Sequence, residues 1–135
     1  MVIEERLKRA IALRRDDVFV RSDFAHFGSS AQVSRALRQL VANGALVKLG
    51  IGVFAKAKPS AFSGKPIPIR PIEILAPVAL QKLGVKVKAG RAARAYNAGS
   101  TQQIPAGIIL DTGRRRITRK LGFGERYVSY ENHNA

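Results

Sequence analysis

The sequence predicts an α+β chain in two parts. An N-terminal winged helix-turn-helix spans residues 1–58, and a small α+β module with an antiparallel sheet spans residues 72–135. Three observations carry this. Residues 29–43 form a capped amphipathic helix that follows a short apolar segment and a Gly turn. Two short apolar runs around Gly50-Ile51-Gly52 then read as a β-hairpin. Finally, the spaced prolines of residues 59–71 separate these elements from everything downstream.

Taken in order, Ile3, Leu7, Ala10 and Ile11 share one helical face, which predicts a first helix over residues 2–13. Glu4 and Glu5 lie early in it and Arg14 and Arg15 late, as the helix dipole favours. Asp16-Asp17 break the helix, and Val18-Phe19-Val20 read as a short strand beside the wing. Ser22 and Asp23 can open a short helix with apolar Phe24, Ala25 and Phe27, after which Gly28 turns the chain. Val33, Leu37, Leu40 and Val41 then form one apolar face, with Gln32, Arg35, Arg38 and Gln39 pointing away. Ser29 followed by Gln32 is a capping-box pattern, and Asn43-Gly44 is a helix stop. Helix, turn, helix and hairpin make a winged unit.

Pro59, Pro66, Pro68 and Pro71 predict an extended linker over residues 59–71, so a fragment ending near Pro59 is expected to fold by itself. Beyond it, residues 72–83 predict a helix with Pro77 inside and Gly84 past its end. Residues 85–87 read as a strand and 91–96 as a short helix. Residues 107–110 read as a strand, followed by turn residues Asp111-Thr112-Gly113 and a return strand over 114–121. Gly122-Phe123-Gly124 turn the chain into a last strand over 126–130.

The composition narrows the partners. There are 24 Lys+Arg against 9 Asp+Glu, a net charge of +15. Residues 1–58 carry 11 basic and 5 acidic side chains, and residues 59–135 carry 13 and 4, so both parts suit a polyanion. The absence of cysteine removes disulfides, thiol nucleophiles and thiolate metal sites. No signal-peptide pattern and no apolar run of membrane-spanning length occurs, which predicts a cytoplasmic protein without membrane association.

Catalytic chemistry is not expected. His26 lies in the helix-turn-helix, where packing or capping suits it better than ligation, and His133 lies in a tail. No HExxH, Walker-type or GxSxG spacing is present, and Asp111 and Glu125 are isolated acids near turns. No cofactor and no metal site are expected.

Duplex DNA binding is the expected activity. Ser29, Ser30, Gln32 and Arg35 sit on the first turns of the second helix of the pair, where a recognition helix meets base edges and phosphates. Glutamine pairs with adenine and arginine with guanine. Arg38 and Gln39 lie one turn further on, and Lys48, Lys56 and Lys58 flank the wing and would track the backbone. In the second module, Asn97 and Gln103 belong to a polar cluster before the apolar strand. Arg114, Arg115, Arg116, Arg119 and Lys120 are the densest cationic run. That run reads either as a solvated hairpin edge or as a contact to DNA, RNA or an acidic protein.

Two stretches also resemble a known family. One is S-D-F followed by G-S-S-A-Q-V-S-R-A-L-R-Q-L-V-A-N-G-A-L-V-K-L-G-I-G-V-F. The other is Y-N-A-G-S-T-Q-Q-I-P-A at residues 96–106, followed by I-I-L-D-T-G-R-R-R-I-T-R-K-L-G. In these segments and in their order the chain resembles the AbiEi-like antitoxins of bacterial type IV toxin–antitoxin systems, over about residues 1–131. The resemblance implies an autoregulatory DNA-binding module, a second module needed for antitoxicity, and a nucleotidyltransferase-like toxin as partner. A homodimer on an inverted repeat is compatible with it. Two other readings stay open. One is an RNA-binding protein that uses the basic second module; the other is a protein-interaction module that inhibits a toxin without touching DNA.

Overall fold

The computed structural model describes residues 2–89, 108–124 and 126–131. The chain is α+β and divides into two units, Met1–Pro71 and Ile72–Ala135.

The first unit follows the apolar periodicity of its sequence. Helix α1 (Ile3–Leu13) leads to strand β1 (Val18–Val20) and a 3₁₀ helix (Arg21–Phe27). Helix α2 (Ser30–Ala42), strands β2 (Leu46–Gly50) and β3 (Val53–Pro59), and the short strand β4 (Pro66–Pro68) complete it. All strand pairs here are antiparallel: β3 runs between β1 and β2, and its far end pairs with β4. One apolar cluster joins the helices to the sheet. Leu7 and Ile11 of α1, Phe19, Phe24, and Val33, Ala36, Leu37 and Leu40 of α2 close against Leu46 and Phe54.

Both ends of α2 form as the sequence predicts. Ser29 Oγ accepts from the Gln32 backbone N–H (3.2 Å), and Gln32 Oε1 accepts from the Ser29 N–H (2.8 Å), a reciprocal capping box. At the other end Ala45 N–H donates to Leu40 O and Gly44 N–H to Val41 O, a Schellman stop. Gly44 has φ +84°, a conformation in which a side chain would be strained.

The stretch read as a linker is part of this unit. Residues 66–68 pair with β3 in the register Ala57↔Pro68, Lys58↔Ile67 and Pro59↔Pro66. Ile69 N–H continues the ladder to Lys56 O. The prolines stand at alternate positions, so their missing N–H groups fall on the outer side of an edge strand while Ile67 and Ile69 face β3. Arg70 Nε closes the segment on Asp17 Oδ2 at 2.6 Å. A fragment ending near Pro59 would lose all of this, and the boundary that the structure supports is Pro71.

In the second unit helix α3 (Ile72–Lys82) contains Pro77 as expected. It ends in a second Schellman stop, in which Val85 N–H donates to Leu80 O. The strand expected at residues 85–87 is not formed, because Val85 is used by that stop and is buried there; pairing begins only at β5 (Lys88–Ala89). Strands β6 (Ile108–Asp111), β7 (Gly122–Phe123) and β8 (Arg126–Glu131) complete a sheet in the order β5-β6-β8-β7. Its outer pairs are antiparallel, but β6 and β8 run parallel, Ile108 opposite Val128 and Asp111 opposite Glu131. Helix α3 packs on β7 and β8.

The parallel pair also decides the path of residues 114–121. Residues 114–121 were expected to return as a hairpin strand, yet none of them is in a ladder. A parallel neighbour requires the chain to cross back to its starting edge, and residues 112–121 with β7 make that crossover. The turn before it forms as expected: Asp111 Oδ1 accepts from Gly113 N–H at 2.8 Å, and buried Thr112 bonds Arg115 O and Glu131 O. The helix expected at 91–96 lies outside the described residues.

Candidate nucleic-acid interface

The burial of α2 on Val33, Ala36, Leu37 and Leu40 decides what faces outward. Ala31, Arg35, Arg38 and Ala42 recur at helical spacing on the opposite side, all exposed, with Gln32 and Gln39 beside them. Arg35 and Arg38 are three residues apart, which puts their Cβ atoms about 5–6 Å from each other on one surface. The flanking alanines leave both guanidinium groups open to a flat or grooved partner.

Arg21 positions this face. Its guanidinium Nη2 donates to Ser30 O (2.5 Å) and Ser30 Oγ (2.9 Å), and Nη1 donates to Ser34 Oγ. Its backbone N–H donates to Gly52 O at 3.0 Å. One residue therefore ties the β2–β3 turn to the first turns of α2. The elbow beneath is tight. A Cβ on Gly28 would lie 2.7 Å from Gln32 Oε1 and 2.9 Å from Ile3 Cδ1, so a side chain here would have to displace the end of the capping Gln32 and the tip of Ile3. A cleft of about 250 Å³ lined by Arg21, Ser22, Ala25, Gly28, Ser30 and Val33 opens at this elbow. The tip of the β2–β3 turn carries Ile51, 83% exposed.

The residues singled out from the sequence fall into three groups. Ser29, Arg35, Arg38 and Gln39 are exposed on or at the start of α2, and Lys48 is exposed on β2, two residues before its end. Ser30 and Gln32 are also exposed, but Ser30 already accepts from Arg21, and Gln32 is held in the capping box. Lys56 is half-buried, and Nζ donates to Arg14 O at 2.6 Å, closing the C-terminal end of α1. Lys58 is exposed, but it sits opposite Ile67 near the end of β3 away from the β2–β3 turn.

In the second unit Arg114, Arg115, Arg116, Arg119 and Lys120 are all exposed along the crossover. Among the described residues, three of them have partners. Arg115 Nη1 donates to Gly84 O at 2.9 Å, Lys120 Nζ stands 4.6 Å from the centre of the Tyr127 ring, and Arg119 O accepts from Tyr130 Oη at 2.8 Å. Burial pushes the Tyr130 hydroxyl above the usual tyrosine range, and the positive charge of Arg119 opposes this more weakly. Tyr130 therefore stays protonated at neutral pH and anchors the crossover as a donor. Asn97 and Gln103 lie outside the described residues.

The part played by Arg21 is not legible in the sequence. Nothing in one sequence separates it from the other arginines, because its role depends on the fold bringing Ser30, Ser34 and Gly52 together. A charge pattern, by contrast, is plain in the sequence. No acid occurs between Asp23 and Glu73, while seven lysines and arginines do. His26 is exposed, with its ring 4.5 Å from that of Phe27. Among the described residues there is no group of three His, Cys, Asp or Glu that could hold a metal, and no helix long and apolar enough to cross a membrane.

No curated protein and no solved structure matches this chain. Its residues 2–134 match a family of unknown function, DUF6088, and the chain belongs to that family.

Proposed function

We propose that the protein is a DNA-binding transcriptional regulator of the AbiEi-like antitoxin type, acting on its own promoter and restraining a nucleotidyltransferase-like toxin. In this reading the first unit is a winged helix-turn-helix, α2 is the recognition helix and the β2–β3 hairpin is the wing. The observation that carries it is the exposed Arg35–Arg38 line on α2, joined through Arg21 to the hairpin turn within an acid-free stretch. A helix with this capped start and this outward face suits the major groove, and the hairpin suits the adjoining backbone. A homodimer reading an inverted repeat belongs to the same proposal.

The test is an electrophoretic shift with duplex DNA from the region upstream of its own gene, run against structured RNA at physiological salt. Preferential retention of the duplex is expected. Equal or tighter binding of the RNA would overturn the DNA reading in favour of the RNA-binding alternative. A nucleotidyltransferase-like reading frame beside the gene supports the antitoxin part.

The crossover cations favour a second contact in this scheme, to the toxin. The described part of the second unit offers Glu73, Asp111 and Glu131 as acids, too few to neutralise its cations internally. Replacing Arg114, Arg115 and Arg116 together by serine is expected to abolish binding to the product of the adjacent gene while operator binding persists. Loss of operator binding alone would make the crossover a second DNA contact.

A further inference from the structure

Phe62 stands at the tip of the loop between β3 and β4 and is 102% exposed, whereas the other five phenylalanines are buried or half-buried. The loop is built to hold it there. Ser60 Oγ accepts from the backbone N–H groups of Phe62 (3.2 Å) and Ser63 (3.4 Å), and Ser63 Oγ accepts from Lys65 N–H (3.3 Å). Ser60 N–H donates to Lys65 O at 2.9 Å, and Gly64 N–H to Ser60 O at 3.0 Å. Ala61, Ser63 and Gly64 beside the ring are too small to cover either face. Exposed Lys58 and Lys65 flank it, with no acid anywhere between Asp23 and Glu73.

This surrounding chemistry discriminates between possible occupants. An aromatic anchor for a protein partner sits at the centre of an apolar contact surface that excludes water. Phe62 instead stands among alanine, serine, glycine and lysine. An open aromatic face with cations alongside is the chemistry that stacks an unpaired base and pairs its phosphates, and it is indifferent to sequence because every base has a π-face. We propose that the 60–65 loop binds single-stranded nucleic acid, with a base stacked on Phe62 and neighbouring phosphates on Lys58 and Lys65. The loop lies at the end of β3 opposite the β2–β3 turn, about 20 Å along the strand. The inference stands independently of duplex recognition.

The experiment uses the full chain and fluorescein-labelled oligo(dT) and oligo(rU) of about twelve residues, with a blunt duplex as control. Phe62→Ala, at a fully exposed position, is expected to weaken both single strands about tenfold or more and to leave the duplex unchanged. The chain contains no tryptophan, so Phe62→Trp supplies a single reporter, expected to keep single-strand affinity and to be quenched on binding. A tighter complex with one of the two strands identifies the sugar. Unchanged single-strand affinity in Phe62→Ala, or an equal loss on the duplex, would overturn the proposal. So would a tryptophan that responds to phosphatidylserine vesicles and not to the oligonucleotides.

Discussion

Replacing Phe24 by alanine should destabilise the first unit by about 3–5 kcal/mol, the usual cost of deleting a buried aromatic ring. Phe24 is wholly buried, at the point where α1, the 3₁₀ helix and α2 meet. Its ring centre lies 5.6 Å from that of Phe19 and 6.1 Å from that of Phe27, the second in an edge-on arrangement. Arg14 Cζ stands 5.9 Å from the ring centre, a cation–π contact at the end of α1. One substitution therefore removes contacts from three elements at once and leaves a cavity that the capped α2 cannot collapse into. A small unit carries a stability near the low end of about 5–15 kcal/mol, so most of it would go. The measurement is amide hydrogen exchange, read peptide by peptide. Peptides from α1 and α2 are expected to exchange about a hundredfold faster or more. Exchange unchanged in α2 would show that its core does not close on Phe24.

How far the sequence disclosed this arrangement depends on whether local rules and the global fold agree. α2 is legible because amphipathic period, capping box and turn glycine agree there; α1 is legible from its apolar period, the stop after α3 from Gly84, and β1 from its β-branched and aromatic run. The edge strand β4 is not. Prolines remove ladder donors and so suggest extended chain outside a sheet, but their alternation at 66 and 68 fits an outer edge. The crossover is illegible for a different reason. Alternating residues, a D-T-G turn and a further run suggest a hairpin, and local sequence cannot distinguish that from a parallel return, which is decided by which edge of β6 accepts β8. The candidate site shows the same division. Exposure of Arg35 and Arg38 follows from helical period alone. The employment of Lys56 on Arg14 O, and of Arg21 on Ser30 and Ser34, depends on contacts between segments far apart in the chain.

Arg35 and Arg38 are expected to fail differently when each is replaced by alanine. Both are exposed on the outer face of α2, away from the core residues of that helix, so neither change should unfold the protein. Arg35 lies nearer the capped start, the part of a recognition helix that reaches base edges. Loss of a bidentate contact to guanine costs about 1–3 kcal/mol, so Arg35→Ala should weaken the cognate duplex by about tenfold to a hundredfold and random duplex much less. Arg38 lies almost one turn further on, where a guanidinium meets phosphate. Arg38→Ala should weaken cognate and random duplex alike and reduce the slope of log K against log salt by about one. The double variant should combine both effects, with a loss of specificity carried by the first and a flatter salt dependence carried by the second. Titrations of wild type and the three variants on both duplexes, at several salt concentrations, separate the two roles. If Arg35→Ala lowers both affinities equally and flattens the slope as Arg38→Ala does, α2 lies along the backbone and base reading falls to another element. If neither variant changes affinity or slope, α2 is not the face that meets DNA, and the winged reading of the first unit loses its support.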